Sequence, residues 1–141
     1  MSLEKIATLG ETTYYLRPDG IIYTENSSDS PLSIAAIKES FEFIKKLAIE
    51  RGEALLLLNN FNSAQKLSKE ARSYIRSTES EIYNDYVSGS ALVASNPVAR
   101  MIGNFILGLK QSEQEVKMFA SEEKAVKWLL SRPKKVVASA N

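Results

Sequence analysis

The sequence predicts a single α/β domain in which a four- or five-stranded mixed sheet is flanked by helices. Short apolar runs without alternation are separated by stretches whose apolar residues recur every three or four positions. Near the N-terminus, a tight-turn sequence joins two β-rich runs. Strands that alternate with helices imply parallel pairing through right-handed crossovers. A chain of 141 residues has room for one core, and we expect residues 1–131 to form the domain.

The first predicted element is a β-hairpin. Its strands are Thr12–Leu16 and Ile21–Glu25, which are rich in Thr, Tyr and Ile. The connection Arg17–Gly20 contains Pro-Asp-Gly, in which proline fixes φ and glycine is free to take positive φ. The hairpin is the antiparallel part of the predicted sheet.

An amphipathic helix and a buried strand follow. Apolar residues recur at helical spacing over Ile34–Arg51, with Ser33 placed to cap the start and Gly52 the end. The next run, Ala54–Leu58, is entirely apolar, which is typical of a parallel strand covered on both faces.

The second half of the chain repeats this alternation. The predicted elements are a helix after Ser68, a strand over Ala91–Ala94, a helix capped by Asn96 that runs through Leu109, a strand over Val116–Phe119 and a helix capped by Ser121. We expect residues 132–141 to be a flexible basic tail.

Composition excludes several function classes. The chain has 18 Lys and Arg against 17 Asp and Glu, and no Cys or His. It therefore lacks thiol or imidazole catalysis and the usual zinc and haem ligands, and we expect no catalytic residues, cofactor or metal. The even charge balance argues against nucleic-acid binding.

Neither a secretory signal nor a membrane-spanning run is present, so we expect a cytoplasmic protein.

Asparagines follow two of the predicted strands. Asn60 comes after Ala54–Leu58, whereas Asn96 comes after Ala91–Ala94 and begins a helix with Arg100 one turn along. Ligand sites in parallel sheets collect at the carboxyl ends of strands, and a helix N-terminus favours an anion. We predict a ligand or partner site at Asn60, Asn96 and Arg100; the alternative is that Asn96 only caps its helix.

The predicted helix Val98–Leu109 is apolar on nearly every side. Such a helix is either covered within its own chain or pairs with another chain. The sequence leaves burial under the segment after Ser68 and homodimer formation equally open.

Several segments resemble an uncharacterised bacterial family, common in Bacteroidetes, that is related to STAS and SpoIIAA-like proteins. The resemblance covers about Thr12 to Leu130. It is carried by the segments Lys66–Arg72 (KLSKEAR), Ala91–Arg100 (ALVASNPVAR), Gly103-Asn104-Phe105 and Phe119–Leu129 (FASEEKAVKWL).

The resemblance implies a STAS/SpoIIAA-like fold that presents a surface to a partner. We include Ser68, at a predicted helix start, and Asn104, in the Gly-Asn-Phe segment, among the predicted ligand- or partner-binding residues. In the anti-sigma-factor antagonists of this group, a serine at a helix start is phosphorylated within Asp-Ser-x-Gly. This chain reads Leu-Ser-Lys-Glu around Ser68, without the Asp or the Gly, and the serine is otherwise a helix cap. A more distant similarity to SEC14-like lipid-binding proteins implies an apolar pocket.

These observations lead to two functional hypotheses. The first is a non-enzymatic interaction or regulatory module that presents a helix surface to a protein partner. The alternative is a small-molecule binding protein that holds an apolar, lipid or anionic ligand at the carboxyl ends of the central strands.

Overall fold

The computed structural model describes residues 3–10, 12–26, 33–60, 70, 73–74, 83–97, 101 and 116–137 of the chain. Within these residues it contains six strands and two helices. In chain order they are β1 (Glu4–Leu9), β2 (Thr12–Leu16), β3 (Ile22–Asn26), α1 (Ile34–Arg51), β4 (Leu55–Asn60), β5 (Val87–Val93), β6 (Val116–Phe119) and α2 (Glu122–Leu130).

The strands form one mixed sheet in the order in which they occur in the sequence. β2 is antiparallel to both β1 and β3, and β3 to β6 run parallel to one another. The predicted class, a single α/β domain with an N-terminal hairpin and later parallel strands, is confirmed. The sheet has six strands, whereas the sequence predicts four or five. The unpredicted strand is β1, which begins with the charged residues Glu4 and Lys5 and so lacks a clear strand pattern.

Helix α1 has the predicted bounds and covers one face of the sheet. The Ser33 hydroxyl accepts a hydrogen bond from the Ala36 amide at 3.1 Å, and Gly52 ends the helix with φ of 73°. Ile44 and Ala48 pack against the buried side chains of the hairpin and β4. We call this side of the sheet the α1 face.

Helix α2 covers the opposite side, which we call the α2 face. Its Ala125 and Leu129 are fully buried against Ile21, Leu58 and Ala91. Helix α2 lies close to β5 because β5 has a glycine, Gly89, at the point of contact.

A Cβ atom at Gly89 would lie 2.9 Å from Cγ of Arg132 and 3.3 Å from Cδ2 of Leu129. Trp128 is half-buried on the flank of α2, with its ring 5.5 Å from that of Phe119. A side chain at position 89 would require the side chains of Arg132 and Leu129 to shift away from β5.

The segment Arg132–Val137 lies across the start of β4, although the sequence predicts a flexible tail there. We call it the C-terminal strap. The Ala54 amide donates to the Lys135 carbonyl at 2.8 Å, and the Val137 amide donates to the Gly52 carbonyl at 3.0 Å. Val137 is buried in the core beneath α1. The buried side chain of Val137 and two backbone hydrogen bonds account for this docking.

Parts of two predicted helices lie outside the described residues. Glu70, Ser73 and Tyr74 are helical, as are Pro97 and Met101, which agrees with helices after Ser68 and Asn96. The remainder of each helix is not described, so the homodimer that the Val98–Leu109 helix suggests stays a prediction.

Candidate functional site

The carboxyl end of β4 places two adjacent asparagines on opposite sides of the sheet. Successive side chains of a strand point to opposite faces. Asn59 is therefore on the α1 face, where it pairs in register with Thr24 of β3, and Asn60 is on the α2 face. The two residues belong to different sites.

Three polar side chains form a row across neighbouring strands on the α1 face. The Thr24 hydroxyl donates a short hydrogen bond to Oδ1 of Asn59, and Nδ2 of Asn59 donates to Oγ of Ser90 at 3.4 Å. We call Thr24, Asn59 and Ser90 the polar row. Thr24 is buried, whereas Asn59 and Ser90 are half-buried, so the accessible end of the row lies at β5.

The hydrogen-bond inventory shows what the polar row can do chemically. Each bond uses one donor and one acceptor, and Ser90 accepts the proton that Asn59 donates. The hydroxyl hydrogen of Ser90 and the second amide hydrogen of Asn59 are then left to donate. This end of the row is consequently suited to a hydrogen-bond acceptor.

Apolar side chains adjoin that end of the row. In register, Leu92 pairs with Asn59, Met118 with Leu92, and Val116 with Ser90, which places all of them on the α1 face. Leu92, Val116 and Met118 are half-buried, whereas Leu58 and Ala91 on the opposite face are fully buried. The α1 face therefore combines two polar donors with accessible apolar surface.

The buried end of the row is tied to α1 through a tyrosine. Tyr14 pairs in register with Thr24, and its hydroxyl makes a short hydrogen bond with Ser40 of α1. Burial raises the pKa of Tyr14, the Ser40 hydrogen bond acts in the opposite direction, and nearby Glu39 raises it slightly further. Tyr14 thus fixes the hairpin against α1 and stays protonated.

The predicted site residue Asn60 lies in a separate cluster on the α2 face. It shares a hydrogen bond with Tyr23, whose hydroxyl donates to Oε1 of Glu25 at 3.1 Å. Burial is the main cause that raises the pKa of Tyr23; the Asn60 bond lowers it, and Glu25 raises it. This arrangement keeps the Tyr23 proton on its oxygen and gives no strong base.

A buried arginine that the sequence analysis does not single out lies beneath the start of α2. Nε of Arg17 is 3.2 and 3.3 Å from the carboxylate oxygens of Asp19, and Nη1 is 2.8 Å from Oε1 of Glu122. The Asp19 carboxylate also accepts from the Ile21 amide at 3.2 Å. The guanidinium joins the hairpin turn to α2; its position after a strand and before Pro-Asp-Gly gives no sign of that contact in the sequence.

The other predicted site residues have separate outcomes. Asn96 is exposed beyond the carboxyl end of β5 and is followed by the helical Pro97, as its predicted capping role requires. Ser68, Arg100 and Asn104 lie outside the described residues. The prediction that Arg100, Asn60 and Asn96 form one site therefore stays a prediction.

Two searches of the described part of the chain bear on ligands and membranes. No cluster of three or more Asp, Glu, His or Cys there is arranged to hold a metal ion. No helix in that part has the length and apolar character needed to cross a bilayer.

Comparison with known proteins finds one family. No curated protein and no solved structure matches the chain. The resemblance to STAS and SpoIIAA-like proteins stays a prediction. Residues 14–132, most of the chain, match the family described as Domain of unknown function (DUF7793), and the protein therefore belongs to this family.

Proposed function

We propose that this protein binds a small molecule that has a neutral hydrogen-bond acceptor, such as a carbonyl oxygen, and an apolar body. The observation that carries the proposal is the polar row, which ends at Ser90 beside half-buried apolar side chains. The hydroxyl of Ser90 and the amide of Asn59 donate to the acceptor. The apolar body lies against Leu92, Val116 and Met118.

The acceptor is neutral because the donors carry no charge. A carboxylate at this half-buried place loses hydration without gaining a cationic partner, since the described side chains that adjoin the row on this face are polar or apolar. A carbonyl needs less desolvation and still receives two hydrogen bonds. The proposal therefore narrows the small-molecule hypothesis of the sequence analysis: it keeps the apolar ligand and drops the anionic one.

Octanamide tests the proposal, because its carbonyl accepts and its chain is apolar. Octylammonium has the same chain length but only donates, so it serves as the matched ligand control. We expect octanamide to shift the amide NMR signals of β5 and β6. Octylammonium should bind more weakly by about tenfold or more, because it offers no acceptor to the two donors and its charge loses hydration at this half-buried place.

A pair of serine variants on β5 separates binding from fold. Ser90→Ala removes one donor, and we expect octanamide to bind about three- to tenfold more weakly. Ser88→Ala is the control, because Ser88 is buried on the same strand and its hydroxyl has no hydrogen-bond partner among the described residues. Equal affinity of the two variants, or equal binding of the two ligands, would refute the proposal.

The regulatory-module hypothesis stays a prediction of the sequence. Two of its predicted residues, Ser68 and Asn104, lie outside the described residues. The expectation that the protein has no catalytic activity also stays a prediction. Binding at the polar row requires neither a nucleophile nor a base.

A further inference from the structure

Two apolar side chains project from the amino-terminal edge of the parallel strands. Val136 of the C-terminal strap is 91% exposed, and Leu130 at the end of α2 is 53% exposed. Their position does not depend on the polar row, because the row lies near the carboxyl ends of the strands. This edge is a second surface of the molecule.

The backbone of the strap holds Val136 outward. The carbonyl of Lys135 and the amide of Val137 both bond to the chain around Glu53, which forms an isolated antiparallel bridge with Val136. Side chains alternate along an extended segment. Val137 is therefore buried while Lys134 and Val136 face solvent.

The same edge of the sheet carries several cations. Lys135 and Arg132 are anchored, because Nζ of Lys135 lies 3.4 Å from the Val87 carbonyl and Nε of Arg132 lies 3.2 Å from the Ser88 carbonyl. The cations of this edge are Arg51 at the end of α1, Lys127 in the last turn of α2, and Arg132, Lys134 and Lys135 of the strap. The described carboxylates of this edge are those of Glu50, Glu53 and Asp85, together with Asp19, which is paired with Arg17. The cations of the edge outnumber them.

We propose that this edge adsorbs to an anionic membrane surface. Val136 and Leu130 enter the headgroup region, while Lys134 and Lys127 face lipid phosphates. Aliphatic side chains flanked by lysines are typical of interfacial attachment, and each cation near such a surface adds to the attraction.

A lipid surface fits these residues better than a protein partner does. Hot spots of protein interfaces are commonly aromatic or Arg anchors that fill pockets. Val136 instead stands out from a fixed backbone with nine-tenths of its surface exposed. A bilayer accepts a projecting aliphatic side chain without a preformed pocket.

Vesicle co-sedimentation tests the proposal with the full chain. We expect binding to phosphatidylcholine vesicles in which about a third of the lipid is phosphatidylglycerol, little binding to phosphatidylcholine alone, and weakening by salt. Val136→Ser should weaken partitioning by about tenfold through lost apolar transfer. Lys134→Gln should weaken it by about fivefold through lost charge.

Matched controls lie toward the other edge of the sheet. Met101 is 66% exposed beyond the carboxyl end of β5, and Lys38 is exposed near the start of α1. Met101→Ser and Lys38→Gln should leave partitioning unchanged. The proposal is overturned if the protein does not bind anionic vesicles, or if the control variants weaken binding as much as the strap variants do. It is also overturned if Val136→Ser has no effect while soluble polyglutamate competes for binding, because that result would indicate an acidic protein partner.

Discussion

The contacts of the buried Arg17 predict that its two carboxylate partners contribute very unequally to stability. The side chain of Arg17 is 7% exposed, that of Asp19 24% and that of Glu122 59%. Asp19 meets Nε and Nη2, whereas Glu122 meets Nη1 alone. The shorter distance belongs to the more exposed partner, so distance and burial give opposite rankings.

Burial decides this ranking, because solvent screens an ion pair more effectively than a few tenths of an ångström weaken it. Asp19→Asn removes the charge that faces the guanidinium and keeps an acceptor for the Ile21 amide. We expect a loss of about 1.5–3 kcal/mol in the free energy of unfolding, the range for hydrogen bonds to charged groups. Glu122→Gln should cost about 0.2–1 kcal/mol, as exposed pairs do.

Urea unfolding followed by circular dichroism measures both variants, with the midpoint shifting at constant slope. The double variant Asp19→Asn with Glu122→Gln should lose more than the sum of the single losses, because the buried guanidinium of Arg17 then has no carboxylate. If Glu122→Gln costs as much as Asp19→Asn, or if the losses only add, the guanidinium is not the shared group and the reasoning fails.

Three further predictions concern packing and protonation. Trp128→Ala should cost about 2–3 kcal/mol, below the value for a fully buried tryptophan because the ring is half-buried; a thermal midpoint within a degree or two of the wild type would show that α2 does not depend on this ring. Gly89→Ala should cost about 1–3 kcal/mol by pushing α2 from β5, and an unchanged urea midpoint would contradict the close approach. Because the pKa of Tyr14 is raised in the folded state, its contribution to stability is complete below about pH 10 and is lost as the pH rises through the raised folded pKa. Tyr14→Phe should therefore flatten the alkaline fall in stability, and parallel pH profiles of variant and wild type would contradict this.

Helix α1 could be predicted to the residue because independent local signals coincide. Three signals mark the same limits, Ile34 and Arg51: the helical spacing of apolar residues, a serine whose hydroxyl accepts from the amide three residues later, and a glycine with positive φ. The hairpin was predictable for the same reason, since Pro-Asp-Gly supplies the turn by itself. Local chemistry suffices where an element is stabilised largely by its own residues.

Elements stabilised by distant partners were harder to predict. β5 begins at Val87, four residues before the predicted Ala91, because Ser88, Gly89 and Ser90 have little strand character. Their strand conformation comes from parallel pairing with β4, and glycine is needed there for contact with α2. The strap likewise depends on backbone bonds to Gly52 and Ala54, which its own composition does not encode.

The site predicted from the sequence includes Asn60, whereas the polar row contains the neighbouring Asn59. Both asparagines lie at the carboxyl end of β4, and nothing in the surrounding sequence separates Asn59 from Asn60. The difference is the face: Asn60 meets Tyr23 and Glu25, whereas Asn59 pairs in register with Thr24 and reaches Ser90. Since a strand shifted by one residue exchanges its faces, this register alone decides which asparagine can join donors on three strands. The ligand binding that we propose at this end of the sheet therefore depends on Asn59, which lies beside accessible apolar surface.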